Sequence, residues 1–353
     1  MQVRYLTTKQ DYKKFIDFKA MLYKGDKNYV DTATFALEDV LFQKTAFTKS
    51  CKVFPVAVEQ DGKFLVQAIF IYNAKLPILQ VGFFEAVKNA ESAVNALIGE
   101  AMQKAKQLGV KQIVIGLNAH ISYGVGILSS GFDFKNSFDS LYNKSYYKNY
   151  FAHLKKQTLS TYRLENFTAQ ANFKGLSDKK AYRIEYADLK DFKASTERMR
   201  RLCDKTIGKT FLYYPTEELH FYELMKDLQP FLSNKNLFFA VDQNGNDAGF
   251  IFWHPDFNQM LNGGEKTSAL KILFGYLFNR KRIDTAKLNA IGSVSQRATL
   301  ALVNELYKQM TKEFKYIETN FVWDNNLNST AINRRFFGSP HRKYEVYFID
   351  ENG

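Results

Sequence analysis

The hexapeptide Ala57-Val58-Glu59-Gln60-Asp61-Gly62 returns 183 positions later as Ala240-Val241-Asp242-Gln243-Asn244-Gly245. Each copy lies between two aromatic-rich runs, and Asp-Gly at such a junction is a strong signal for a tight β-hairpin. The echo continues downstream. Val94, Leu97, Ile98, Ala101, Met102, Ala105 and Leu108 recur at helical spacing, Gly109 supplies a C-cap, and Val110 to Leu117 reads as a buried strand. In the second half Leu302, Val303, Leu306, Tyr307, Met310 and Phe314 answer that helix, and Tyr316 to Trp323 answers the strand. The loops Asn118–Gly131 and Asn325–Gly338 are offset by 207, so the second copy carries an insertion, placed around Phe257 to Ile283. We therefore expect an α/β chain with a mixed sheet, built from two divergent copies of one domain. Gly175-Leu176-Ser177-Asp178-Lys179-Lys180 is the most linker-like stretch and divides the chain into residues 1–175 and 176–353.

The end of the chain is the most regular part. Ile317, Thr319, Phe321 and Trp323 alternate with Tyr316, Glu318, Asn320 and Val322, which predicts a half-buried strand with Glu318 on its polar face. A short helix through Ala331, Ile332 and Phe336 follows, stopped by Gly338 and Pro340, and Lys343 to Ile349 resumes as strand. Such a β-α-β ending needs a larger sheet to lie on.

At 353 residues with 46% apolar and 24% charged side chains, the composition is that of a soluble globular chain with an unusual aromatic load, 21 Tyr and 32 Phe. The net charge of +13 favours polyanionic partners such as nucleic acid, phosphorylated cofactors or a membrane surface; scattered, solvated lysines produce the same number. Cys51 and Cys203 stand far apart, without CxxC or His at metal spacing, so no disulfide framework or metal site is expected. The first residues lack a signal-peptide core and no apolar run reaches spanning length, from which a cytoplasmic protein without a membrane span is expected. His120, His153, His220, His254 and His341 form no HxH, HExxH or triad pattern.

Several segments, in this order and spacing, carry a family resemblance. They are Leu22-Tyr23-Lys24-Gly25-Asp26 with Tyr29-Val30; Gly82-Phe83-Phe84-Glu85; and Gly116 and Asn118 with Gly126-Ile127-Leu128 and Gly131-Phe132-Asp133. Tyr142-Asn143, Tyr146-Tyr147, Gly249-Phe250, Pro255-Asp256 with Asn258-Gln259, and Lys343-Tyr344 with Val346-Tyr347 complete them. Nearly the whole chain resembles the bacterial family of tandem GNAT-like proteins labelled as N-acetyltransferases. The resemblance implies two GNAT folds in one chain, with acetyl-CoA or another acyl-CoA as co-substrate and no metal. It does not imply a particular acceptor amine.

Acyl transfer needs a phosphate cradle, a base and an acid. GNAT enzymes cradle the CoA pyrophosphate on a glycine-rich turn, Gln/Arg-x-x-Gly-x-Gly/Ala, at a helix start. The matching place here is Ala290 to Ala301, where Ser295 and Arg297 stand at the glycine positions; Ser293, Ser295, Gln296 and Arg297 are the candidate donor contacts. The first-half turn, Glu85 to Ala93, also lacks the pattern, so the second half is expected to hold the donor and the first to be degenerate. Glu318 is the candidate base. The family's acid tyrosine follows an Asn-x-x-Ala helix by about seven residues; Asn328 and Ala331 match but Arg335 stands in the tyrosine's place, leaving Tyr344 as the candidate acid, with Tyr347 beside it. Asp256, Asn258 and Gln259 at a strand end, and Asn118 in the first polar glycine loop, are the candidate acceptor contacts.

Three functions fit these residues: acyl-CoA-dependent N-acylation of a small-molecule or peptide amine, transfer from aminoacyl-tRNA, or non-catalytic binding on a GNAT-like fold. Basic charge and poor glycine turns suit the tRNA reading.

Overall fold

A computed structural model describes residues 1–31, 33–165, 181–264, 267–310 and 313–350. The linker placed at 175–180 lies outside them. The first half runs β1 (Gln2–Tyr5), α1 (Lys9–Tyr23), α2 (Ala33–Leu41), α3 (Ala46–Lys49), β2 (Lys52–Gln60), β3 (Lys63–Asn73) and β4 (Leu76–Ala86). It continues with α4 (Glu91–Leu108), β5 (Gln112–Ile115), β6 (Ile127–Ser130), α5 (Tyr147–Tyr150) and β7 (Lys155–Glu165). The second half runs β8 (Tyr182–Tyr186), α6 (Phe192–Thr206), α7 (Glu218–Lys226), β9 (Leu237–Asp242), β10 (Asp247–Pro255), α8 (Ala269–Asn279) and β11 (Thr285–Ser293). It ends with α9 (Gln296–Met310), β12 (Tyr316–Thr319), β13 (Val322–Trp323), α10 (Leu327–Phe337) and β14 (Pro340–Asp350).

Each half builds the same unit. Both repeated hexapeptides are hairpins: β2 pairs β3 through Asp61 and Gly62, each at positive φ, and β9 pairs β10 across Gly245. A long helix then carries the chain over to a parallel neighbour, α4 between β4 and β5 and α9 between β11 and β12. Val94, Leu97, Ala101 and Ala105 pack α4 on Val56, Val81 and Ile113, whereas Met102, at the margin of the predicted stripe, is exposed. Leu302, Leu306 and Met310 do the same for α9 over Ile251, Leu288 and Ile317. Each half also has a bulge: β4 gains a residue at Phe83-Phe84 against β3, and β11 gains Asn289 against β10. The second-half insertion is explicit. Ala74-Lys75 joins β3 to β4, while residues 256–284, including α8, separate β10 from β11.

The halves exchange their closing strands. The sheet order is β1-β2-β3-β4-β5-β14-β7-β12-β11-β10-β9-β8, so β14 from the chain end closes the first half on β5, and β7 from the first half pairs with β12. β14 and β7 pair with each other over Pro340–Phe348 and Lys155–Tyr162. The expected continuous strand Tyr316–Trp323 is broken. Asn320 donates its backbone N–H to Leu288 O (2.8 Å) and its amide to Asn289 O (3.1 Å), after which Val322-Trp323 pairs with β7 instead. No helix among the described residues is long and apolar enough to cross a membrane.

A chain truncated after Gly338 lacks β14 and leaves β5 and β7 with open edges. We expect loss of cooperative unfolding and of the near-UV circular dichroism of both halves, not of the second alone.

Candidate active site

The first-half cavity forms where two parallel strands part. β4 and β5 pair only over Leu79–Val81 and Ile113–Ile115. Beyond this Phe83 adopts φ 50° and Gly116 φ 95°, and the strands diverge. The Phe83 N–H released by the bulge is bound by Asn118 Oδ1 at 2.7 Å. Close packing around the split demands glycine: a Cβ at Gly82 would lie 2.6 Å from Leu117 O, and one at Gly126, at φ 93°, would lie 2.6 Å from Tyr344 Cβ. The cavity of about 60 Å³ is lined by Lys19, Tyr29, Gln67, Glu85, Asn118 and Tyr147 among others. It has room for about two waters, at about 30 Å³ each, or a short acyl or amine group.

Glu85 is the chemical centre of this cavity. Its carboxyl is buried, and Oε2 accepts hydrogen bonds from Tyr23 Oη (2.7 Å) and Tyr147 Oη (2.8 Å). Burial raises its pKa to about 7, opposed by the nearby Lys19 charge and by the two hydroxyls. Burial and the neighbouring carboxyl push both tyrosines well above 10, so their protons stay in place and the mobile proton belongs to Glu85. Lys19 Nζ pairs with Asp31 Oδ1 at 3.3 Å, and Tyr29 Oη donates to the same oxygen at 2.7 Å while its ring stacks on Tyr23. Gln67, which lines the cavity, donates to Phe15 O, but its buried Oε1 has no hydrogen-bond partner among the described residues. An orphaned buried acceptor of this kind favours a ligand that donates hydrogen bonds.

The second half has a carboxylate as well, but it is sealed. Glu318 is 1% exposed; Oε1 accepts from Ser137 Oγ (2.6 Å) and faces Lys287 Nζ (3.5 Å), and Oε2 faces His341 Nε2 (3.8 Å). Burial alone would raise its pKa, yet Lys287, Arg342, Ser137 and His341 together hold it below the usual range. The expectation that Glu318 lies on a polar strand face is corrected, because residues 134–140 of the first half cover that face. Phe138 N–H donates to Asp256 Oδ1 (2.8 Å), Asn258 Nδ2 to Asn136 O (2.9 Å), and Arg342 to Phe134 O (3.0 Å) and Lys135 O. Asp139 approaches His254 at 3.2 Å, and Lys287 meets Ser140.

The other sequence candidates fall into three places. Asp256 and Asn258 anchor the covering segment, and Gln259 accepts from the N–H groups of Asp284 and Thr285 while donating to the Asp284 carboxylate. Asn118 lines the first-half cavity and satisfies the bulge, whereas Tyr344 does not line it: it packs behind Gly126 and donates its hydroxyl to Leu141 O. Ser293, Ser295, Gln296 and Arg297 gather at the start of α9. Ser295 caps it through Ala298 N–H, Ser293 bonds Thr299, and Gln296 and Arg297 are exposed. Glu85, Tyr23, Tyr147, Lys19 and Asp31 were not singled out by the chemical reading. Tyr23, Tyr29, Glu85, Asn118 and Tyr147 nevertheless all lie in segments that carry the family resemblance, and the fold brings those segments together.

No protein-family model and no curated protein matches the chain. Solved structures do. A tandem GNAT protein from the clavulanic acid biosynthesis pathway matches with TM-score 0.54 at 10% identity, over 99% of this chain and 98% of its own. GCN5-related N-acetyltransferases from Anabaena variabilis and Sphaerobacter thermophilus match with TM-scores of 0.55 and 0.51, at 8% and 11% identity. Each covers 99% of this chain, and 73% and 95% respectively of its own length. The chain has a tandem GNAT fold. The two crossover-helix starts differ in charge: α4 has Glu91 in its first turn, unfavourable for an anion at that end, and Lys88 exposed just before it, whereas α9 has no acid in its first turn.

The two carboxylates predict opposite responses. Replacing Glu318 with Ala leaves Lys287 and Arg342 buried without their counter-charge, and we expect a loss of about 3–5 kcal/mol in denaturant melts. Glu85 is an acid whose pKa rises from its ordinary 4.5 to about 7 on folding. Its contribution is therefore present below pH 4.5 and lost as pH rises through 7, by up to about 3 kcal/mol. Glu85→Gln should lack that decline, read as the difference between wild-type and variant stability across this range.

Proposed function

We propose that this protein is an N-acyltransferase whose chemistry takes place in the first half, with Glu85 as general base. The observation that carries the reading is a buried carboxyl, held by two neutral tyrosines at the split between β4 and β5, with a pKa about 7. A base poised near the working pH is what amine activation requires. The acceptor is an amine small enough in its reacting part for the cavity, on a small molecule or a peptide. Gln67 Oε1 supplies an acceptor for its N–H groups, and Lys19 lines the same cavity.

An acyl thioester such as acyl-CoA supplies the activated carbonyl. As the new N–C bond forms, Glu85 takes the proton released by the amine. The C–S bond breaks, and the same proton passes to the departing sulfur, so one carboxyl serves both ends of the transfer. Tyr23 and Tyr147 fix the carboxyl's orientation without giving up their protons. The residues beside this split fit the thioester end better than the phosphates. Glu91 opposes anion capture by the α4 backbone, and phosphate recognition falls to exposed side chains, Lys88 first.

Calorimetric titration with acetyl-CoA, longer acyl-CoAs and CoA tests the donor, and a panel of primary amines tests turnover. We expect Glu85→Gln to lower kcat by about 10²–10⁴ with little change in donor affinity, and Lys88→Ala to weaken donor binding about five- to tenfold. Weakening by Arg297→Ala instead would move the donor to the second half and overturn the assignment to Glu85. If no CoA species binds, the thioester donor is wrong, and salt-sensitive binding of tRNA would favour aminoacyl transfer.

A further inference from the structure

The insertion that separates β10 from β11 is not needed to build the sheet, since the first half joins the equivalent strands with two residues. Its helix α8 has an unusual surface. Leu270, Leu273, Phe274, Leu277 and Phe278 are 40–78% exposed and fall at i, i+3, i+4, i+7 and i+8, a single apolar stripe facing water. The opposite face is apolar too: Ile272 and Tyr276 pack inward on Leu261, Phe231 and Phe257, and Gly275 lets the helix approach Met260. A helix on a water-exposed surface ordinarily turns charged residues outward, and this one turns leucine and phenylalanine. Directly at its C-terminal end Arg280, Lys281 and Arg282 form an exposed turn, and none of the three has an ion-pair partner among the described residues. The Asp284 carboxylate, two residues past the turn, accepts hydrogen bonds from Gln259 and Thr285.

We propose that α8 and the Arg280–Arg282 turn dock this protein on an anionic lipid surface. A stripe of bulky apolar side chains on a projecting helix, ended by consecutive cations, matches the two requirements of an interfacial helix: an apolar face for the acyl boundary and positive charge for anionic headgroups. The chain's net charge of +13 acts in the same direction. Charge complementarity selects this occupant over a second copy of the chain, which would bring three more cations to the same place.

Co-sedimentation of the full chain with phosphatidylcholine vesicles, with and without phosphatidylserine, tests the proposal. We expect binding that requires phosphatidylserine and weakens with salt. The triple variant Arg280→Glu, Lys281→Glu, Arg282→Glu should partition at least about 100-fold more weakly, and Phe274→Ser with Phe278→Ser at least about tenfold. All five positions are exposed, so thermal melts should match wild type. The emission of Phe278→Trp should shift to the blue on vesicles. Absence of binding to either vesicle, or binding unchanged in both variants, overturns the proposal. A concentration-dependent dimer that Phe274→Ser with Phe278→Ser dissolves, in the absence of vesicle binding, assigns the stripe to self-association and also overturns it.

Discussion

The eleven residues of β14 hold this molecule together. Without that strand β5, only four residues long, would be an open edge in the first half, and β7 would lose the partner that joins it to the first half's strands. Backbone N–H and C=O groups at such edges must find partners or remain solvated, and the chain solves this by exchanging the closing strands of its two halves. A consequence is that the halves cannot be treated as two enzymes on a string. Gly126 of the first half rests on Tyr344, and Ser137 of the first half reaches Glu318, so both carboxylates depend on contacts supplied across the duplication.

That dependence has pushed the two halves apart chemically. In the second, residues 134–140 lie over the strand pair bearing Lys287 and Glu318, and the buried charges neutralise one another inside a closed network. An ionised carboxylate held in this way has little tendency to take up a proton. In the first, Glu85 has hydroxyl donors and a cation at some distance, and burial raises its proton affinity into the neutral range. Desolvation is the largest single influence on both carboxyls; at Glu85 it prevails, and at Glu318 the neighbouring cations and the Ser137 hydroxyl together outweigh it. The helix starts are divided the opposite way, with the acid at α4 and the unopposed N-terminus at α9.

The duplication was legible because hairpins and crossover helices leave local periodicity: Asp61-Gly62 and the α4 stripe are visible without any partner strand. The insertion was legible from the offset between the two copies, but not the helix it contains. The strand exchange was not, since Lys343–Ile349 reads as strand whichever neighbour it takes. The same limit explains Glu318. Alternation shows which residues share a face, but covering that face depends on Ser137 and Phe138, far away in sequence. Glu85 was missed for a related reason. One acid at the end of the apolar run Val81-Gly82-Phe83-Phe84 is an ordinary strand terminus until Tyr23 and Tyr147, each 62 residues away, are brought against it.

The insertion and the cavity share a wall. Gly264 N–H donates to Tyr29 O at 2.7 Å, and Gly263 lies so close to Lys27 that a Cβ there would sit 2.1 Å from its carbonyl oxygen. Further along, Ile272 of α8 packs in one cluster with Val30 and Leu261. Val30 stands between Tyr29 and Asp31, the pair that faces Lys19 at the cavity, and its own backbone is held by the Asn136 amide. A helix that bears on Val30 therefore bears on the residues that set the charge around Glu85.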